Sequence, residues 1–156
     1  MNPMDIHKAA PFRFFVVFNK LNKTLQQVLK DHFAAYQLTP TEFAVLDALA
    51  THDKLPIQEI GAIVLITSGA ITHVLRSLEK KGLVLRKQSS ADKRIYYAQL
   101  TEEGKAFWER FVPHHQAYVR QLFKDYDLQA LDALTDQLKA LGLFLLAKHQ
   151  AKGEIT

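Results

Sequence analysis

Apolar positions recur along this chain at two different periods, and the places where the period changes divide it into elements. From about Met4 to Tyr36, Phe15, Phe18, Leu21, Leu25, Val28, Leu29 and Phe33 return every three or four residues, the period of a helix. Pro11 falls where a proline begins or bends such a helix. Thr39-Pro40-Thr41-Glu42 predicts a second helix start, with Thr39 as cap, Pro40 at the first helical position and Glu42 completing a capping box. That helix carries Phe43 to Ala50 and ends at His52-Asp53-Lys54. Pro56 opens a short third helix with Ile57, Ile60 and Ile63 as its buried stripe. A fourth runs from Ser68 to Lys81, capped by Thr67 or Ser68 and stopped by Gly82, since glycine accepts the left-handed conformation that ends helices. The pattern then turns β-rich at Leu83–Lys87 and again at Ile95–Leu100, around a polar loop from Gln88 to Arg94. Thr101 caps a long fifth helix with Phe107, Trp108, Phe111, Val112, Val119, Leu122 and Phe123 on its apolar side, and Pro113 predicts a kink in it. The last helix, from about Leu128 to His149, repeats Leu128, Leu131, Leu134, Leu138, Leu141 and Leu145 as a coiled-coil-like seam. Ala147 to Thr156 reads as a fraying tail.

A helix, a tight stop and a charged hairpin make a winged helix-turn-helix, with the third and fourth helices as the paired unit. The expected fold is mainly α with a small β-hairpin wing, an α+β arrangement between long N- and C-terminal helices. Leu143, Phe144 and Leu146 lie partly off the leucine seam and widen it. That is more apolar surface than a small winged-helix domain covers, so a partner chain is expected, by default in a symmetric dimer.

Charge sharpens this picture. Between His73 and Arg94 stand seven basic residues (Arg76, Lys80, Lys81, Arg86, Lys87, Lys93 and Arg94) against Glu79 and Asp92, a net +5 in a chain whose total is +4. A basic patch so concentrated is the electrostatic footprint of a phosphate-binding surface. On the fourth helix, Ile71, Val74, Leu75 and Leu78 share the core side, and Gly69, Thr72, His73, Arg76 and Lys80 the opposite one. Small and hydrogen-bonding residues near the start of that helix suit close approach to DNA, because a recognition helix reads base edges with its N-terminal residues.

Other chemistries find no pattern here. The chain has no cysteine, which excludes disulfides and thiol switches, and methionine occurs only at positions 1 and 4. Seven histidines (7, 32, 52, 73, 114, 115 and 149) show no metal-ligand spacing, so neither a metal nor another cofactor is expected. No phosphate-cradling glycine loop or nucleophile motif occurs, and no enzyme is expected. Phe14-Phe-Val-Val-Phe18 is too short for a signal-peptide core or a membrane span, so a cytoplasmic protein is expected.

The run Leu65-Ile-Thr-Ser-Gly-Ala-Ile-Thr-His-Val-Leu-Arg-Ser-Leu-Glu-Lys-Lys-Gly-Leu-Val84 resembles the recognition helix of the MarR family of bacterial transcription regulators. Asp92-Lys93-Arg94 and Leu100-Thr101-Glu102-Glu103-Gly104 resemble that family's wing signature, an Asp-x-Arg followed by a strand and Leu-Thr-x-x-Gly. The resemblance implies a single subunit over 1–156, with a DNA-binding lobe at 38–100 and helical dimerisation regions at 4–36 and 101–149. It implies a homodimer on double-stranded DNA, at a pseudo-palindromic operator with half-sites about one helical turn apart. Ser68, Gly69, Thr72, His73, Arg76 and Lys80 would face the major groove. In the wing, Arg86, Lys87, Lys93 and Arg94 would contact DNA. Arg94 would enter the minor groove while Asp92 orients it or pins the loop. Family members commonly release DNA on binding a small, often aromatic or phenolic, effector. Phe12, Phe15, Tyr36 and Trp108 are the expected pocket residues. Two other readings stand beside this one: a winged-helix module for a protein partner, and a ligand-binding helical dimer without DNA recognition.

Overall fold

The structure, a computed structural model, describes residues 9–153 and the side chains up to residue 149. The predicted start of the first helix at 4–8 lies outside the described residues. Helix α1 spans Ala10–Ala35, with Pro11 in its first turn, where a missing N–H costs nothing. It ends at Tyr36, and Gln37 turns the chain with φ 56°. Helix α2 spans Pro40–Thr51 and has the full predicted capping box: Thr39 Oγ1 accepts from the Glu42 N–H at 3.1 Å, and Glu42 Oε2 accepts from the Thr39 N–H at 2.8 Å.

Strand β1 is only Leu55–Pro56 and pairs antiparallel with β3, Leu55 opposite Ala98 and Pro56 opposite Tyr97. Here the structure adds to the expected hairpin. Pro56 belongs to an edge strand and is also the N-cap of helix α3, Ile57–Val64. Proline lacks the N–H a central strand would need, so it fits an edge, and two residues are too few to show a period. Strands β2 (Val84–Gln88) and β3 (Tyr96–Leu100) form the hairpin, giving the three-stranded order β1-β3-β2.

Leu65, in the left-handed region at φ 58°, turns α3 into helix α4, Ser68–Lys80. The stop after α4 is a Schellman motif around Gly82, at φ 73°. The Leu83 N–H donates to the Leu78 carbonyl and the Gly82 N–H to the Glu79 carbonyl, each at 3.0 Å. Thr101 then ties this stop to helix α5, Glu102–Leu122. Its Oγ1 donates to the Gly82 carbonyl at 2.6 Å and accepts from the Gly104 N–H at 2.9 Å.

The chain divides into two compact units, the first ending at Phe111 and the second beginning at Val112. The first holds one core: Val45, Leu46 and Leu49 of α2, Ile60 of α3, Ile71, Leu75 and Leu78 of α4, Val84, Ala98 and Leu100 of the sheet, and Phe33 and Phe111. Phe111 is the hub of an aromatic cluster with Tyr36, Phe43, Phe107 and Trp108. The second unit contains the rest of α5 and helix α6, Leu128–Gly153, which continues through His149 into the stretch expected to fray. Asp127 caps α6, its Oδ1 accepting from the Gln129 N–H at 2.9 Å. Pro113 lies inside α5, which remains one helix across it.

Among the described residues, Glu42 is the charged one buried in the core, 3% exposed. Burial alone would raise its pKa. Hydrogen bonds from Lys81, Ser77 and the Thr39 backbone, with the Lys81 charge, more than offset this and hold it below the ordinary carboxylate value. A carboxyl depressed on folding stabilises the fold above its unfolded pKa, and that contribution is lost as pH falls through its folded value. Glu42→Gln should therefore flatten the acid limb of a plot of stability against pH while mattering least at the acid end. A full acid dependence in the variant would assign that limb to other carboxylates.

Candidate nucleic-acid interface

Helix α4 presents the face that its sequence divides. Ile71, Leu75 and Leu78 are buried and Val74 is half-buried, while Ser68, Gly69, His73, Arg76 and Lys80 are exposed and Thr72 is half-exposed. Thr67 caps the helix, its Oγ1 accepting from the Ala70 N–H at 3.4 Å, and Thr72 Oγ1 donates back to the Ser68 carbonyl at 3.0 Å. An added Cβ at Gly69 would meet nothing within 4 Å. The space over the first turn is thus open to an approaching surface.

The wing is braced from within. Ser89 N–H donates to the Ile95 carbonyl at 2.8 Å, Gln88 Nε2 to the Lys93 carbonyl at 2.6 Å, and Ser89 Oγ accepts from the Ala91 and Asp92 N–H groups at 3.3 Å. At the tip, Asp92 grips Arg94 three times. Oδ1 accepts from the Arg94 N–H at 2.9 Å and from Nε at 3.1 Å, and Oδ2 accepts from Nη2 at 2.9 Å. The Arg94 side chain and backbone donors hold the Asp92 carboxyl below its usual range, and the same pair raises Arg94. Despite the fork, the Arg94 side chain is 90% exposed against 34% for Asp92, so the guanidinium is oriented without being covered.

The seven basic residues of the patch divide into two groups. Lys81 is committed to Glu42 at 2.7 Å and to the Gln37 carbonyl at 2.6 Å. Arg86, expected at the DNA, makes a two-pronged bond to Glu79, Nε to Oε1 at 2.9 Å and Nη2 to Oε2 at 2.6 Å, with both side chains 28% exposed. It joins β2 to the last turns of α4, a partnership between residues too close in sequence to look like a tertiary contact. Arg76, Lys80, Lys87, Lys93 and Arg94 remain as the exposed cations.

The four residues expected to form an effector pocket do not converge within the chain. Phe12 and Phe15 stand exposed near the start of α1. Tyr36 caps its other end, about 30 Å or more away at 1.5 Å per residue. Tyr36 packs edge-on to Phe111 at 4.8 Å, and Trp108 stacks on Phe43 at 5.7 Å. Trp108 borders a cleft of about 230 Å³ with Asp53, Lys105 and Glu109. A groove of about 700 Å³ lies between α1 and α2, lined by Lys23, Gln26, Lys30, Leu38 and Thr41 among others, and includes none of the four. Among the described residues, no three His, Asp or Glu side chains form a metal-binding group. No single helix among them is long and apolar enough to cross a membrane.

Comparison with known proteins gives this geometry a setting. The family model for the MarR family matches residues 38–96. The HTH-type transcriptional regulator MhqR of Bacillus subtilis is 34% identical over 131 residues, covering 84% of this chain and 90% of MhqR. SarZ of Staphylococcus aureus is 38% identical over 101 residues, 65% of this chain and 66% of SarZ. Among solved structures, a mutant MarR from E. coli complexed with operator DNA superimposes with a TM-score of 0.78 at 21% identity, covering 90% of this chain and 99% of that one. NadR in complex with 4-hydroxyphenylacetate superimposes with a TM-score of 0.74 at 19% identity, covering 86% of this chain and 98% of that one.

Proposed function

This chain belongs to the MarR family of transcriptional regulators, and from that premise we propose that it is a homodimeric, cytoplasmic repressor of a pseudo-palindromic operator, released by a small aromatic or phenolic effector. The observation that carries the DNA reading is Arg94, held out at the wing tip by Asp92 beside a recognition helix whose outward face is open. Helix α4 enters the major groove with Ser68, Gly69, Thr72 and His73 nearest the bases, and Arg76 and Lys80 further along. Arg94 enters the adjacent minor groove, where negative potential attracts a guanidinium. Lys87 and Lys93 contact phosphate. Arg86 acts indirectly, by fixing β2 against α4.

Apolar exposure supports the dimer. Phe12, Phe15, Val17 and Phe18 of α1 are exposed, as are Leu128 and Leu143 to Leu146 of α6. Exposed large apolar side chains gathered on one helix in this way mark an interaction site. In the proposed dimer, α1, α5 and α6 bury it against a second copy, and the helices bring 38–100 into register with two half-sites. An effector acts by favouring a dimer in which the recognition helices are wrongly spaced. NadR, crystallised with 4-hydroxyphenylacetate, motivates aromatic acids as the first compounds to try.

The test is selection of bound duplexes from a random DNA pool, then affinity against salt. An inverted repeat with a steep salt slope is the expected result. Weak binding without sequence preference would replace the DNA reading by the protein-partner one. Lys93→Ala should weaken all duplexes alike and reduce the salt slope by about one unit for each phosphate it no longer neutralises. An unchanged slope would remove Lys93 from the phosphate-binding set.

A further inference from the structure

The recognition helix has a hold on it that neither apolar packing nor the wing supplies. One oxygen of the buried Glu42 carboxylate, Oε1, accepts from Ser77 Oγ at 2.7 Å and from Lys81 Nζ at 2.7 Å. Ser77 and Lys81 are four residues apart, one turn of the α4 helix path, so the carboxylate grips that path at two successive levels. Its other oxygen is fixed by the Thr39 N–H. Lys81 also donates to the carbonyl of Gln37, which occupies the left-handed turn between α1 and α2. One carboxylate and one ammonium thus join the α1–α2 turn, the start of α2 and the end of α4.

Capping α2 does not require this arrangement. A capping box needs only the reciprocal bonds between Thr39 and Glu42, and Ser77 and Lys81 lie 35 and 39 residues beyond Glu42. The bonds to Ser77 and Lys81 instead fix rotation of α4 about its own axis and sliding along it. Hydrophobic contacts of Ile71, Leu75 and Leu78 resist these motions less sharply, because apolar packing is not directional. Rotation of α4 changes which of Thr72, His73 and Arg76 meets a base edge. Ser77 and Lys81 lie in the half of the helix remote from its cap at Thr67, away from Ser68, Gly69, Thr72 and His73, the residues placed nearest the bases.

We propose that Glu42, through Ser77 and Lys81, is a positioning residue that sets the orientation of the recognition helix and so the sequence specificity of DNA binding. It touches no DNA. The proposal rests on the DNA reading above and goes beyond it by placing a determinant of specificity in the core.

The experiment measures the ratio of affinities for the selected operator and a scrambled duplex, in wild type and in Ser77→Ala, Glu42→Gln and Lys81→Met. Ser77→Ala removes one grip with no change of charge and a gain in helix propensity. Glu42→Gln keeps an acceptor for the Thr39 N–H. The expected result is a loss of roughly tenfold in the ratio for each variant, carried by the operator, with the scrambled duplex bound as before. Lys81→Met should also leave the salt slope unchanged, since its ammonium serves Glu42 and Gln37 and no phosphate. A purely structural role would lower thermal midpoints and leave the ratio intact, and that outcome in Ser77→Ala overturns the proposal. A reduced salt slope in Lys81→Met overturns it too, by making Lys81 a phosphate ligand. If wild type itself shows no preference for any duplex, the DNA reading has failed and the proposal falls with it. A wild type that discriminates, with variants that discriminate equally, refutes the positioning role alone.

Discussion

Arg94→Ala should weaken operator binding by about 10- to 100-fold while leaving the dimer and its thermal midpoint unchanged. The magnitude follows from the two wings of the proposed dimer, each deprived of a charge-assisted interaction of the kind that discriminates between DNA sequences. The stability expectation follows from exposure: the Arg94 side chain is 90% exposed, and its partner Asp92 remains solvated without it. Asp92→Asn separates orientation from charge. It makes the wing more positive, so attraction alone predicts tighter binding. Loss of the fork that fixes Nε and Nη2 predicts weaker binding, because the arginine must then be ordered as it meets the DNA. Titration of a fluorescent operator distinguishes the two. Operator affinity in Arg94→Ala equal to wild type would remove the wing from the interface.

Gly104→Ala should lower folding stability by roughly 3 kcal/mol or prevent folding altogether, the upper range for forcing an added methyl into packed structure. A Cβ at this position would overlap the backbone carbonyl of Leu83, and neither its oxygen nor its carbon belongs to a side chain that could swing aside. The Leu83 carbonyl is also the acceptor for the Thr101 N–H at 3.1 Å, so moving it breaks the junction where α4, β2 and α5 meet. The contrast is Gly69→Ala, where the added methyl meets nothing within 4 Å and helix propensity improves. Urea unfolding of both variants is the measurement, and a midpoint for Gly104→Ala near that of wild type would show that α5 can shift its first turn cheaply. The glycine that closes the Leu-Thr-x-x-Gly signature is thus explained by close approach of two backbones.

These two sites show how far local sequence carries. The caps, the Gly82 stop and the two faces of α4 are legible because each depends on residues within a few turns of each other, and the hairpin because its two strands flank one short polar loop. The carboxylate at position 42 is legible only as a cap, since its bonds to Ser77 and Lys81 span 35 and 39 residues. The partner of Arg86 is not legible, because charge alone does not reveal one and its fork with Glu79 depends on how β2 lies against α4. Strand β1 leaves no trace in the pattern because a pair of residues has no periodicity, and the proline in it signals a helix start as readily as an edge. Phe12, Phe15, Tyr36 and Trp108 share a chemical type, whereas one unbroken helix separates the first two from Tyr36.

The double hydrogen bond of Thr101 at the base of the hairpin has a geometric consequence. The bond to the Gly82 carbonyl joins the two ends of the segment between Gly82 and Thr101, and the bond from the Gly104 N–H ties that root to α5, so the wing is clamped at its base. Its five-residue strands measure about 17 Å at 3.3 to 3.4 Å per residue. Along duplex DNA that length is about five base-pair steps of 3.4 Å. In the proposed complex the hairpin is a ruler: it sets the interval between the bases met by α4 and the minor-groove step met by Arg94. In that complex, an operator with one base pair inserted within the interval keeps both recognition sequences, yet titration should show it bound more weakly, because the two can no longer be met at once.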